Sequence, residues 1–187
     1  MDFSLDSLGI KEKKSVLFSG KSPQTKKLIE LILKKEENKK NILVVFDPAN
    51  YSPLMNNFFV VSRKAFGKNS VVLDDYSLPE ISYSIHSVEG NPESEGILLF
   101  DSISSMLSFN PSNAVYSFLF FETRKAKELN YSVFCFIDER LHDNAVLMNI
   151  KKMMDYDFFF EFKEKKLFIE QTAFPFNSIT KNYAFEL

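Results

Sequence analysis

Gly96-Ile97-Leu98-Leu99-Phe100-Asp101-Ser102-Ile103-Ser104-Ser105 is the stretch on which the fold turns: an unbroken apolar run that stops on a carboxylate followed by small hydroxyl residues. A run this short and this apolar predicts a strand buried on both faces, the pattern of a parallel sheet covered by helices. Ligands of such sheets sit beyond the carboxyl ends of the strands, and Asp101 falls there. An aspartate at that place has two uses. It holds Mg²⁺ in phosphate-binding sheets, or it bonds the backbone of the turn that follows. The strand alone favours neither.

The remaining composition narrows the class. A chain of 187 residues fits one domain over 1–187 with a sizeable core. Phe is abundant at 21 residues, Trp is absent, and the 5 Gly leave little material for glycine-rich phosphate loops. A net charge of -2 argues against general attraction to nucleic acid. The single Cys135 lies within Val133-Phe134-Cys135-Phe136-Ile137, which predicts an inert core thiol and no internal disulfide. No apolar stretch reaches the ~18 residues of a membrane span. Met1-Asp2-Phe3-Ser4-Leu5-Asp6 is acidic and lacks the form of a signal peptide, so the expectation is a cytoplasmic protein with no membrane insertion.

Working outward from Asp101, the pattern alternates strands with helices. Ser15-Val16-Leu17-Phe18-Ser19-Gly20 predicts a first strand, and Ser22-Pro23 supplies a helix start with Ser22 as N-cap. Leu28, Ile29, Leu31, Ile32 and Leu33 give that helix its apolar face. Asn41-Ile42-Leu43-Val44-Val45-Phe46 is a second strand ending on Asp47-Pro48. Ser52-Pro53 predicts a second helix carrying Leu54, Phe58, Val61 and Ala65 and ending at Gly67. Val71-Val72-Leu73 predicts a short strand, and the alternation through 81–88 a half-exposed strand or extended connection. Beyond Asp101, Ser112 caps a long helix to about Leu129, Val133 to Ile137 form a strand ending on Asp138-Glu139, and 144–154 form an amphipathic helix. Asp157-Phe158-Phe159-Phe160-Glu161-Phe162 and Leu167-Phe168-Ile169-Glu170 flank a Lys-Glu-Lys-Lys turn and predict an antiparallel hairpin, to which 182–187 add a last strand. Four strand–helix units followed by a hairpin predict an α/β fold, a three-layer and mostly parallel sheet flanked by helices, with C-terminal antiparallel strands.

These stretches resemble the RecA-like ATPases and, within them, the KaiC-like branch common in archaea. The likeness rests on the lead-in from Leu5-Asp6-Ser7-Leu8-Gly9 to Gly20, on Ile97-Leu98-Leu99-Phe100-Asp101-Ser102-Ile103-Ser104 as a Walker B strand, on 144–160 with Asp155 or Asp157 before an apolar strand, and on the closing hairpin. The resemblance implies an ATPase, yet its phosphate loop departs from G-x-x-x-x-G-K-[ST]. Counted from Gly20 as the first glycine, the second glycine falls on Thr25, the lysine on Lys26 and the Mg²⁺-holding hydroxyl on Lys27. Gly20-Lys21-Ser22 is a decoy, because Ser15 then stands where the first glycine belongs. Pro23 removes an amide donor as well. Where the family usually carries a water-activating Glu after the second strand, this chain has Asp47, and its Lys-x-Arg after the hairpin is Glu170-Gln171-Thr172 here.

The resulting expectation is a non-catalytic RecA/KaiC-like domain, a pseudo-ATPase with no cofactor and no catalytic residues, whose vestigial nucleotide site is Gly20, Thr25, Lys26, Lys27, Asp47 and Asp101. It works through a protein partner or self-association. The alternative is a divergent ATP- and Mg²⁺-binding protein that hydrolyses slowly through Gly20, Lys26 and Asp101. A DNA-binding accessory rests on fold analogy alone. Ser104 or Ser105 with His142 and Asp138 suggests a hydrolase triad, but no G-x-S-x-G elbow is present. His86, His142 and one buried cysteine offer no metal cluster. The lysines at 34–35, 39–40 and 163–166 interleave with Glu and predict solvated turns. The phenylalanines at 118, 120, 121 and 158–160 cannot all point inward, and the exposed remainder is expected to mark an interface.

Overall fold

Successive side chains of a strand point to opposite faces, so each buried strand of this chain feeds two separate cores. The computed structural model describes residues 3–10, 13–36, 38–46, 58–65, 69–88, 95–172 and 181–186. Its nine strands are β1 Ser15–Ser19, β2 Lys40–Val44, β3 Phe58–Ser62, β4 Ser70–Val72, β5 Gly96–Phe100, β6 Tyr131–Ile137, β7 Tyr156–Lys163, β8 Lys166–Thr172 and β9 Lys181–Glu186. They form one sheet in the order β4-β3-β2-β5-β6-β1-β7-β8-β9. All pairs from β4 to β7 are parallel, and β8 and β9 continue antiparallel. Among the described residues five α-helices accompany them: α1 Ser22–Lys35, α2 Leu78–Val88, α3 Ile103–Phe109, α4 Ser112–Glu128 and α5 Asn144–Lys151.

One core gathers Val16 and Phe18 of β1, Ile97 and Leu99 of β5, Phe134 and Phe136 of β6 and Phe158 and Phe160 of β7 beneath Leu28, Ile29 and Ile32 of α1. The other takes the alternate residues, Leu17, Leu98, Phe100, Val133 and Cys135, against α2, α3, α4 and α5. Phe18 anchors the first. Its ring stacks on Phe134, Phe136 and Phe158 with centroids 6.1, 5.3 and 5.6 Å away. Such pairs contribute about 0.5–1.5 kcal/mol each beyond the area they bury, which ties β6, β1 and β7 together in the middle of the sheet. Burial pushes the Cys135 thiol up, so it is an unreactive core residue.

Two expected elements are different in the structure. Residues 58–62 are a strand, not the end of a helix: Val60 and Val61 are fully buried and hydrogen-bonded between β2 and β4. The start of that expected helix, from Ser52-Pro53, lies outside the described residues. The contiguous Phe58-Phe59-Val60-Val61 run, apolar and β-branched, outweighed a helical spacing that only four residues supported. The second correction is α2, which occupies 78–88 in place of an extended segment. Leu78, Ile81 and Ile85 are its buried face, so the spacing that read as alternation was the i, i+4 repeat of a helix. From its first turn, Glu80 holds the approach to the helix: its carboxylate accepts the Asp74 and Asp75 N–H groups at 2.7 and 3.1 Å. The first helix also begins one residue earlier than its expected cap implies, with Lys21 at the N-cap position.

The amino end of β1 is pinned across 140 residues of sequence. Asp155 accepts the Ser15 N–H at 2.7 Å and its hydroxyl at 2.9 Å, and pairs with Lys127 of α4 at 2.7 Å. Burial pushes its carboxyl up, but the Lys127 ammonium and the Ser15 donors outweigh it and hold it below the ordinary carboxylate range. A depressed folded-state pKa stabilises the fold fully above the unfolded value of about 3.9 and loses that contribution as pH falls through the folded value. Urea unfolding of Asp155→Asn at neutral pH is expected to show a loss of about 1–2 kcal/mol. The loss should shrink toward acid; a constant difference down to about pH 2 would contradict the role.

Candidate functional site

In a parallel sheet the ligand end is where the strands stop and the helices begin. Here the step from β1 to α1 takes only Gly20 and Lys21. Gly20 donates its N–H to the Ile137 carbonyl at 3.0 Å, so the chain continues its pairing with β6 one residue past the strand. A Cβ on Gly20 would lie 2.5 Å from the Phe160 ring, which explains the glycine as a packing requirement. The first turn of α1 is then clamped to β7. Gln24 accepts the Phe162 N–H at 3.1 Å and donates to its carbonyl at 3.3 Å, and the Lys27 ammonium lies 4.8 Å above the Phe162 ring. Thr25 is buried in this turn, while Lys26 pairs with Glu30 one turn along at 3.9 Å. Gly20, Thr25, Lys26 and Lys27 are therefore gathered in one short segment, three of them as helix residues.

Asp101 is placed elsewhere on the same edge. It follows β5, which β6 separates from β1. Its carboxylate is buried and accepts the Phe46 N–H at 3.0 Å, binding the end of β2 to the end of β5. Asp47 lies outside the described residues. The serines after Asp101 are structural in detail. Ser102 accepts the Ser105 N–H at 3.0 Å and caps α3, a helix that sequence reasoning took for a turn although the cap residue was visible.

Ser104 and His142 do come together: Oγ and Nε2 are 2.8 Å apart. The third member of a triad does not. Asp138 gives its backbone N–H to the Ser104 hydroxyl at 3.1 Å, and its carboxylate is held by Arg140 at 2.9 and 2.6 Å. The serine, itself buried, thus joins α3, the end of β6 and the turn into α5. Which of the two groups donates in this contact follows the tautomer of the imidazole. Burial lowers the His142 pKa, and the Asp138 and Asp143 charges oppose it without reversing it.

On the α5 face of the same edge, Lys151 is shared by Glu139 at 2.6 Å and Asp157 at 3.0 Å. Burial lowers its pKa, but the two carboxylates more than compensate and hold it above the usual lysine value. Asp157 is buried, accepts the Ser19 hydroxyl at 3.4 Å and contacts the Thr172 hydroxyl. Sequence reasoning singled out Asp157 as one of two family-like aspartates but missed Lys151, whose partners stand 12 and 6 positions away in different elements. Among the described residues no group of three His, Cys, Asp or Glu side chains could hold a metal ion.

Gly20→Ala is expected to cost about 1–3 kcal/mol of stability by overpacking against Phe160, and the second substitution Phe160→Leu should recover part of it in urea unfolding. An unchanged midpoint for Gly20→Ala would remove the packing explanation. For His142, a folded-state pKa below the unfolded value of about 6.5 leaves its stabilisation intact above that pH and loses it as pH falls through the folded value. His142→Gln should flatten that acid-side slope in thermal melts, and an unaltered slope would assign it to other groups.

Comparisons with known proteins bear on the fold. No family model matches the chain, and no curated protein matches it by sequence. Among solved structures it is similar to the flagellar accessory protein FlaH from Methanocaldococcus jannaschii, with a TM-score of 0.60 at 15% identity over 99% of this chain and 92% of that one. It is also similar to the KaiC-like protein PH0186 from Pyrococcus horikoshii OT3, with a TM-score of 0.65 at 14% identity over 95% of this chain and 87% of that one. Coverage from end to end, together with the mostly parallel nine-stranded sheet and its antiparallel C-terminal strands, shows that this chain shares the RecA-like α/β fold of these two structures.

Proposed function

We propose that this chain is a non-catalytic RecA/KaiC-like domain, a pseudo-ATPase that acts through protein contacts in regulation or assembly. The observation that carries this reading is the two-residue connection from β1 to α1, with Phe160 packed on Gly20. A phosphate cradle needs a loop of several residues whose amides converge on the anion, followed by a lysine and a hydroxyl at the helix start. In this chain the segment that should be loop is the first turn of a helix, and Gln24 bonds that turn to β7. Lys26 sits inside the helix and faces Glu30. Phosphoryl transfer depends on positioning and charge neutralisation, and each missing part weakens both.

Protein contact is the complementary half of the proposal. Phe120 and Phe121 of α4 are each more than half exposed, and no helix among the described residues is long and apolar enough to cross a membrane, so a bilayer does not account for them as a spanning segment. The name of FlaH describes that protein as an accessory one, and an accessory role in a cytoplasmic assembly is the kind of work proposed here. A second reading draws on Asp101, which lies at the ligand end of the sheet: a divergent site for ATP and Mg²⁺ with Gly20 and Lys26 as its other members.

Thermal unfolding with and without millimolar ATP or ADP and Mg²⁺ separates the two. A ligand at about a hundredfold excess over its Kd stabilises the folded state by about 2.7 kcal/mol, several degrees in a chain of this size. No shift is expected. A rise in Tm that disappears in Lys26→Ala and Asp101→Asn would overturn the pseudo-ATPase reading.

A further inference from the structure

The hydroxyl of Ser104, the second residue of α3, ties that helix twice to the turn between β6 and α5. The side chain is buried, and its oxygen meets two partners among the described residues: the Asp138 N–H at 3.1 Å and His142 Nε2 at 2.8 Å. The first can only donate. A hydroxyl has one proton to give and two lone pairs with which to receive, so the Ser104 proton has one acceptor among these partners, Nε2. The imidazole fills that role only when it is neutral and carries its own hydrogen on Nδ1. With a hydrogen on Nε2 the ring becomes a second donor into the same oxygen. A buried hydroxyl proton is then left without an acceptor, a state that native interiors avoid.

His142 is partly exposed, so protons reach it from water. It follows the short turn Glu139–Leu141 and stands directly before Asp143, whose carboxylate accepts the Val146 N–H at 2.9 Å and caps α5. The charges that act on the ring come from its own connection: Asp138, held by the Arg140 guanidinium at 2.9 and 2.6 Å, and Asp143. No charged residue lies in β6 or α3, and Asp101 ahead of α3 accepts the Phe46 N–H. On α5 the one charged side chain is Lys151 at the far end, shared by Glu139 and Asp157. Both nearby carboxylates therefore have other donors to hold. Burial is the larger influence on the ring and keeps its pKa below the ordinary value in spite of them.

We propose that His142 is a proton-sensitive latch: neutral, with its hydrogen on Nδ1, it accepts the Ser104 hydroxyl and holds the start of α5 to α3, and on protonation it turns that hydroxyl out and releases the 138–143 turn. The latch is closed at neutral pH and opens as pH falls below the ordinary histidine value of about 6.5. It uses none of Gly20, Lys26 and Asp101, so it stands apart from the nucleotide reading. NMR of the full chain reads both states. Long-range nitrogen–proton correlation of the imidazoles at mildly alkaline pH is expected to place the His142 hydrogen on Nδ1, with His86→Gln separating the signals of the two histidines. Acidification through the His142 titration should move the Asp138 and Val146 amide resonances with the same midpoint and lower their exchange protection at least about tenfold. His142→Gln offers the hydroxyl a carbonyl oxygen that does not titrate, and both amides should then hold still over the same range. A His142 hydrogen on Nε2 at mildly alkaline pH overturns the proposal. So do Asp138 and Val146 amides that stay unchanged while the ring titrates, or that move equally in His142→Gln.

Discussion

The ring of Phe160 lies against Gly20 so closely that no side chain fits between them, and the whole ligand end of the sheet is arranged around that contact. β1 sits between β6 and β7, and its exit is the point where a nucleotide-binding sheet opens to receive phosphate. Here the exit stays paired with β6 through Gly20, then bends into α1 within two residues. The bend is short because the first turn of α1 is needed lower down, where Gln24 completes the hydrogen bonding of Phe162. Leaving that backbone pair unsatisfied in a partly buried position would cost about 1–3 kcal/mol per group. A longer loop would have to give up both the ring contact and the glutamine clamp.

The two faces of the sheet divide the labour. On the α1 face the strand ends are aromatic, with Phe18, Phe136 and Phe160 in mutual contact. On the α5 face they are polar, and the polar groups are consumed by one another: Asp138 by Arg140, Asp157 and Glu139 by Lys151, Ser104 by His142 and the Asp138 N–H. Asp101 serves the backbone of Phe46. Asp101, Asp138, Glu139 and Asp157 at this edge are therefore already engaged by protein donors. Such networks are costly to disrupt, because a buried charge that loses its partner keeps its desolvation penalty. They make the carboxyl edge a rigid part of the fold.

Rigidity at that edge shifts attention to the outside of the helices. The large side chains that the fold leaves unused on α2 and α4 are aromatic, on the side of the sheet opposite α1. The alternation in β7 shows the same economy by contrast: Phe158 and Phe160 are buried and only Phe159 between them is exposed. In α4 two adjacent rings, Phe120 and Phe121, face water together. A helix can bury only one stripe against a sheet, so a sequence that places Phe at 118, 120 and 121 commits part of it to the exterior.

Where hydrophobic period and local chemistry agreed, the elements could be read from residues alone. Gly96 to Phe100, Val133 to Ile137 and the Phe-rich hairpin are strands because continuous or alternating apolar runs of that length admit little else, and α4 and α5 follow from their helical spacing. Spacing along the chain is likewise the whole basis for expecting a vestigial site at Gly20, Thr25, Lys26 and Lys27, since a spacing motif is a property of the chain. It failed over 58–62 and 78–88, where short windows fit two periods and pairing with neighbouring strands or burial of the Leu78, Ile81 and Ile85 face decided between them. Tertiary structure alone decided what occupies the ligand end. Phe160 meets Gly20, Asp155 reaches Ser15 and His142 finds Ser104 across 140, 140 and 38 positions, and contacts at such separations exist only after the strands have been ordered in the sheet. Period and capping are encoded within a few residues; partnership between distant strand ends is set by topology, and that is where this site's character is determined.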